Sequence, residues 1–385
     1  MHFFKLILRN ALRHKLRTAL TVVGLVVAFL SFGLLQSIVD AWYHGADAAA
    51  PNRLITRNAV SLTVFLPLHY REKIRSVEGV RSVAAVNWFA GVYQEPKNFF
   101  PQFAVEPAPY FAMYPEYRIP PEEFRAFMRD RKGAVVGRKL ASQYGWKVGD
   151  TVPLKGTIFP GNWEFVVRAI YDGAEAKTDT TLFFFHWQYL NETVKQRFPL
   201  RANQVGIFLV EVDDVDRAAV VSEEIDKQFR NSIAETLTET EQAFQIGFVK
   251  QTEAILIAVR IVSFVVIFII LAVMANTMAM TARERLGEYA TLKALGFSPI
   301  YVGSLIYGES LAIALIGGAL GVVLTFPAGD WFAKQMGTLF PVFGVSEETV
   351  FLQILSAAIV GVLAALLPAR TAARVRIVEG LRAIG

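Results

Sequence analysis

The chain is 385 residues long, 54% hydrophobic, with a mean hydropathy of +0.38 and a formal net charge of +5. Both apolar measures are high for a soluble domain, and the absence of cysteine excludes a disulfide framework, a thiolate metal site and a cysteine nucleophile. The basic excess does not suggest nucleic-acid binding, because its charges flank apolar blocks as membrane anchors do.

Charge-free windows cover residues 18–39, 261–282, 310–329 and 349–369, each 20 to 22 residues. As helices they would be roughly 30–33 Å long, the thickness of a hydrocarbon core. The fold class expected is an α-helical membrane protein with four transmembrane helices. A large α/β extracytoplasmic domain is inserted between helices 1 and 2.

Residues 1–17 hold Lys5, Arg9, Arg13, Lys15 and Arg17 without an acid, with Phe4, Ile7, Leu8, Ala11 and Leu12 at helical spacing. They fit an amphipathic helix on the cytoplasmic membrane surface. The first span and a helical extension follow over 18–50, with Gly24 and Ala28 as a small packing face, and Pro51 ends the helix. Its apolar run exceeds the core of a signal peptide, so it is expected to be retained as an anchor.

Residues 51–230 are expected to form the extracytoplasmic domain. Strand candidates at 54–64, 80–88 and 203–212, with helices at 69–76 and 217–229, point to a split βαβ lobe made of 51–93 and 200–230. The insertion 94–199 suggests a β-rich lobe, with the Gly149-Asp150 turn and the apolar run 181–187 as a core strand. Residues 233–260 are expected to be one helix leading into the second span, so that 231–282 forms stalk and span together, with Gly247 its only soft point.

The segment 283–297 then carries Arg283, Glu284, Arg285, Glu288 and Lys293. Gly296 is a helix stop and Ser298-Pro299 a helix start, so this reads as a short cytoplasmic helix between two spans. The third span, 298–328, has Gly317 and Gly321 in a small-xxx-small pattern, and the fourth, 349–369, has Ala357, Gly361 and Ala365. Glu309 is a costly intramembrane carboxylate, expected to bond a neighbouring helix. The loop 329–348 has one lysine against three acids and is placed outside, whereas the tail 370–385 is basic and placed inside. Pro368 is expected to bend the exit of the fourth span, and Val375, Val378 and Leu381 to give the tail an apolar edge.

The sequence holds no Walker A loop, no G-x-S-x-G elbow, no H-E-x-x-H motif and no histidine pair at ligand spacing. No catalytic, cofactor-binding or metal-binding residue is therefore assigned, and energy is expected to come from a partner through the charged segment.

Several stretches resemble a known family. Thr281-Ala282-Arg283-Glu284-Arg285, Glu288-Tyr289-Ala290-Thr291-Leu292-Lys293-Ala294-Leu295-Gly296-Phe297 and Leu367-Pro368-Ala369-Arg370 are similar to the FtsX-like permease domain. Gly137-Arg138-Lys139-Leu140-Ala141 and Val148-Gly149-Asp150 resemble the MacB-type periplasmic core domain. The resemblance implies an ABC transporter permease of the MacB/LolC/LolE/FtsX class, in the bacterial inner membrane with both termini cytoplasmic. It implies a homodimer bound to two copies of a separate ABC ATPase, which would hold the ATP and Mg, at Arg283, Glu284, Arg285, Glu288 and Lys293. Mechanotransmission would then export or extract a peptide, antibiotic, lipid or lipoprotein, with room for a periplasmic adaptor and an outer-membrane channel. Membrane lipid, not nucleic acid, is the expected surroundings. The alternative is an FtsX-like transmembrane signal transducer that regulates an envelope enzyme.

Overall fold

A computed structural model describes residues 13–175, 177–336, 340 and 342–375. Most of the expected surface helix over 1–17, and the tail with Val378 and Leu381, lie outside the described residues. In chain order the elements are α1 (Lys15–Ala48), β1 (Arg53–Asn58), β2 (Leu66–Pro67), α2 (Tyr70–Arg75), β3 (Val80–Trp88), β4 (Gln102–Val105), α3 (Pro107–Met113), β5 (Tyr117–Arg118), α4 (Pro121–Arg129) and β6 (Gly133–Gly137). There follow α5 (Arg138–Tyr144), β7 (Thr151–Gly156), β8 (Gly161–Gly173), β9 (Phe183–His186), α6 (Trp187–Arg197), β10 (Gln204–Val205), β11 (Ile207–Val212) and α7 (Ala218–Gln228). Last come β12 (Thr236–Thr240), α8 (Glu241–Gln251), α9 (Glu253–Glu284), α10 (Leu286–Ala294), α11 (Pro299–Met336) and α12 (Glu347–Arg374).

Two compact units result. One gathers the described residues up to Ala41, Thr252–Gln335 and those from Phe343 on; the other holds Trp42–Gln251 with the described residues of Met336–Val342.

In the first unit, α1, α9, α11 and α12 are each long and apolar enough to cross a membrane. Helices in lipid gain little from burying apolar area against one another, so close van der Waals packing has to hold them. The glycines allow that approach. A Cβ on Gly317 would lie 2.5 Å from Leu25 Cβ, one on Gly321 would lie 2.7 Å from Phe29 Cβ, and one on Gly318 would lie 2.6 Å from Ala357 Cβ. Gly361 comes equally near Leu311 Cα, at 2.9 Å. Ala28, Ala357 and Ala365 are buried, whereas Gly24 meets only Ile270 Cδ1 at an ordinary 3.6 Å. Gly33, not singled out in the sequence, has the tightest approach, with Gln353 Nε2 2.2 Å from a Cβ position. That amide donates to Phe29 O (2.8 Å) and Thr325 Oγ1 (2.9 Å), tying three helices together. α11 extends to Met336, beyond the expected span limit of 328, and α12 runs through Pro368 to Arg374.

The second unit is built on a sheet of ten strands in the order β12-β1-β11-β3-β4-β9-β6-β8-β5, with β7 on β8. The first four strands are antiparallel neighbours, with Leu54 opposite both Val210 and Thr240, and Val83 opposite Val210. With α2 and α7 they form the split βαβ lobe. Two expectations need correction. The lobe does not end at 230, because β12 is its closing strand. Residues 236–240 are therefore not part of a helix: Thr236, Thr238 and Thr240 are β-branched at every second position, which suits a pleated strand against β1. Nor is the helix that follows continuous, since α8 ends at Gln251 and Thr252 leaves helical geometry (φ −104°, ψ 7°).

The insertion does not form a separate sheet. β4 pairs with β3, and β9 pairs parallel with β4 and antiparallel with β6, so the lobes share one sheet. Alternate side chains then build two cores. Leu54, Ile74, Phe165, Phe183, Phe208 and Val221 pack on one face; Ile55, Ala84, Tyr110, Phe127, Phe184 and Leu209 pack on the other. The run 181–187 supplies the central strand β9, buried on both faces.

Candidate functional site

The charged turn between α9 and α11 is shaped by its own sequence. Arg285 breaks the helix (φ −105°, ψ 14°) and α10 starts at the next residue. α10 ends in a Schellman motif: Gly296 takes a left-handed φ of +93°, its N–H bonds Lys293 O (3.0 Å) and the Phe297 N–H bonds Leu292 O (3.1 Å). Ser298 Oγ then accepts the Tyr301 N–H (3.2 Å), with Pro299 in the first helical position. Glu288 lies in the first turn of α10 and Lys293 in the last, the favourable ends of the helix dipole for each charge.

Most of these charges are engaged within the chain. Arg285, only 8% exposed, donates through Nη1 to Glu309 Oε2 (2.9 Å) and through Nε to Glu288 Oε2 (3.0 Å). Its guanidinium carbon also lies 5.4 Å from the centre of the Tyr289 ring. Glu309 thus reaches the start of α10 from α11. The other oxygen of Glu288 accepts from Arg13, two residues before α1. Glu284 takes a two-pronged bond from Arg17 of α1, at 2.7 and 2.8 Å. Lys293 Nζ donates to Ala373 O (2.5 Å) and Val375 O (2.9 Å), satisfying carbonyls at the end of α12. Burial alone would raise the Glu288 carboxyl, but the hydrogen bonds from Arg13 and Arg285 hold it below its ordinary value.

Of the five charged residues singled out in the sequence, Arg283 is exposed and has no ion pair among the described residues. The turn's bare surface is apolar instead. Leu295 is 72% exposed and Ile300 84%, with Phe297 between them stacked on Tyr301 at 4.8 Å. Reading the charges alone missed this tip. The signal was present, since Leu295, Phe297 and Ile300 crowd around a turn glycine where polar residues are usual.

Comparison with known proteins fits this arrangement. Residues 18–228 match the MacB-like periplasmic core domain, and residues 260–377 match the FtsX-like permease C-terminal domain. The chain belongs to the family of ABC transporter permeases of the MacB/FtsX type. The permease is 24% identical over 396 residues to an uncharacterized ABC transporter permease of Methanocaldococcus jannaschii, covering 97% of this chain and 96% of that one. An uncharacterized ABC transporter permease protein of Mycobacterium tuberculosis is 24% identical over 262 residues, 64% of the permease and 28% of that protein. Among solved structures, the periplasmic region of MacB from Actinobacillus actinomycetemcomitans is similar over 52% of the permease and 94% of its own chain, with 9% identity and a TM-score of 0.38. The extracellular domain of the noncanonic ABC-type transporter YknZ from Gram-positive bacteria is similar over 49% of the permease and all of its own chain, with 13% identity and a TM-score of 0.36. The four apolar helices and the inserted α/β domain are those of a multi-pass membrane permease of this family.

Proposed function

We propose that the permease is driven by a partner ABC ATPase that binds ATP and Mg, and that it passes the resulting motion to its inserted domain to export or extract a substrate. The substrate classes that fit are a peptide, an antibiotic, a lipid or a lipoprotein. The turn and both chain ends face the cytoplasm in this reading, and a second copy of the permease pairs with a second ATPase. A periplasmic adaptor and an outer-membrane channel could extend the assembly in a cell that has an outer membrane. The FtsX-like alternative, control of an envelope enzyme, uses the same input and differs only in its output.

One observation carries the reading. The turn is tied to α1 and the residues just before it through Arg17 and Arg13, to α11 through Glu309 and to α12 through Lys293, while its apolar tip has no cover among the described residues. A force on the tip is therefore shared by four apolar helices. Leu295, Phe297 and Ile300 are the contact for the ATPase, and the ion pairs are the linkage behind it.

The test is co-purification of the permease with its ATPase from native membranes. Leu295→Asp with Ile300→Asp should lower ATPase recovery at least tenfold without changing the permease's melting temperature. Reversal of Glu284 and Glu288 to arginine should lower both, because it also breaks the linkage. Full ATPase recovery with the tip variant would remove the docking role.

A further inference from the structure

The inserted domain contains a cavity of about 510 Å³ that the coupling reading does not use. It lies where β4 and β9, one of the sheet's two parallel pairs, end side by side, with Val105 opposite His186. Carboxyl ends of parallel strands are a favoured place for ligands in open α/β sheets, and this volume is within the range of small-molecule sites. The start of β3 closes one side with Arg81 and Val83, α2 contributes Arg71 and Arg75, and Met128 stands at the end of α4.

The electrostatics are one-sided. Glu106 is the only carboxylate in the lining, and both its oxygens are engaged: one accepts from Arg71 and the other from the Ala85 N–H at 2.9 Å. No acid is left for a cationic ligand. Arg81 is partly satisfied by two acids outside the lining, Asp213 through Nε at 3.0 Å and Glu211 near Nη1 at 3.6 Å, which leaves Nη2. Arg75 is exposed and has no acidic partner among the described residues, so its guanidinium donors are available. His186 gives Nε2–H to Phe127 O (2.8 Å), which leaves Nδ1 as an acceptor, and its burial favours the neutral ring. The rest of the lining includes an apolar part: Val83, Met128 and the Pro107–Pro109 segment.

We propose that this cavity binds an oxyanion, a phosphate or carboxylate group, held by Arg75 and Arg81, with any apolar part of the ligand lying against Met128 and the proline segment. An arginine fork recognises either head group by the same paired N–H geometry. The site stands whether or not an ATPase drives the permease, so its failure would leave the coupling reading untouched.

The test uses the full chain in lipid nanodiscs, without nucleotide or partner, titrated calorimetrically against empty discs. The probes are inorganic phosphate, hexyl phosphate and, as a charge control, hexyltrimethylammonium. Saturable binding of a phosphate probe, at least tenfold weaker in Arg75→Glu and absent for the ammonium probe, is the expected result. Hexyl phosphate binding tenfold tighter than inorganic phosphate would assign the site to an amphiphile's head group. Equal binding would assign it to a free oxyanion. Should Arg75→Glu melt early, Arg75→Gln serves in its place with the same comparison. No saturable binding of either phosphate probe or of hexanoate, titrated as the carboxylate probe, or equal affinity in wild type and variant, would overturn the proposal.

Discussion

Among the described residues each compact unit buries one arginine, and the two are held differently. Arg53, 2% exposed and the first residue of β1, donates to Glu241 Oε2 (2.6 Å) at the first residue of α8 and to Met113 O (2.9 Å). Glu116 lies 2.8 Å away, Tyr114 stacks under the guanidinium at 4.0 Å, and the Tyr114 hydroxyl donates to the other oxygen of Glu241 (2.7 Å). Burial disfavours the charge on Arg53, but Glu241, Tyr114 and Glu116 outweigh it and raise its pKa above the ordinary value. Burial and the nearby Glu241 raise the Tyr114 hydroxyl, so it stays a donor. This knot is sealed, and it joins the two chain segments by which the domain begins and ends. Arg285 is sealed only on its Glu309 side, while the side chain of Glu288, its other partner, is 43% exposed and leads outward to Arg13. A sealed pair specifies one structure. An open-ended one exchanges partners at less cost, which is what the proposed coupling role would need.

Breaking the sealed knot should have the largest effect. Arg53→Met leaves the Glu241 carboxylate buried without its cation and should cost about 3–5 kcal/mol, read as early loss of β-sheet circular dichroism. Arg53→Met with Glu241→Leu removes both charges and should recover most of that loss. A double variant as unstable as the single one would show that the pair is not a unit. At the open knot, Glu309→Gln removes one charged hydrogen bond but leaves Arg285 its bond to Glu288, and should cost about 1–3 kcal/mol, measured by unfolding in mixed micelles. A loss as large as at Arg53 would erase the contrast.

Acid sharpens the same contrast. The folded-state pKa of Glu288 is depressed, so its contribution is fully present above the ordinary glutamate value of about 4.3 and is lost as pH falls through the depressed one. Amide protection in α10, measured relative to the exchange of the unfolded chain at the same pH, should therefore fall on acidification below pH ~4, and added salt should mimic part of the effect because the Arg13 pair is exposed. Protection in α10 that stays flat over that range would mean the pair does not hold the helix.

The four spans and both caps of the turn were legible because each depends on local pattern: charge-free runs, Ser298-Pro299, and Gly296. What joins them was not. Glu309 was expected to bond a neighbouring helix, but the turn residue Arg285 is 24 positions away and is selected by packing. The single sheet was hidden for a similar reason, since the strands of the parallel pair β4–β9 are some 80 residues apart and no local signal links them. Arg53, an arginine at the start of an ordinary strand, gave no hint of a partner 188 positions on. β12 is a different kind of miss. Its alternating threonines were visible, but the helical residues after it suggested a helix from Ile233 onward.

The smallest predicted effect lies at the junction between β12 and α8. Thr240 ends β12 opposite Leu54, and its Oγ1 accepts the Ala243 N–H (3.1 Å), capping α8. Thr240→Ala removes the cap and should cost about 1 kcal/mol, a melting shift of roughly 2–4 °C for a domain of this size, whereas Thr240→Ser keeps the hydroxyl and should cost less. Ala243→Pro removes the same bond from the donor side. Ala243 is the third residue of α8, where its N–H has no partner within the helix, so proline there should not break the helix as it would one turn later. The two substitutions act on one hydrogen bond, and the double variant should lose no more than the worse of the singles. Fully additive losses would mean that Thr240 stabilises the strand-to-helix junction by some means other than the cap.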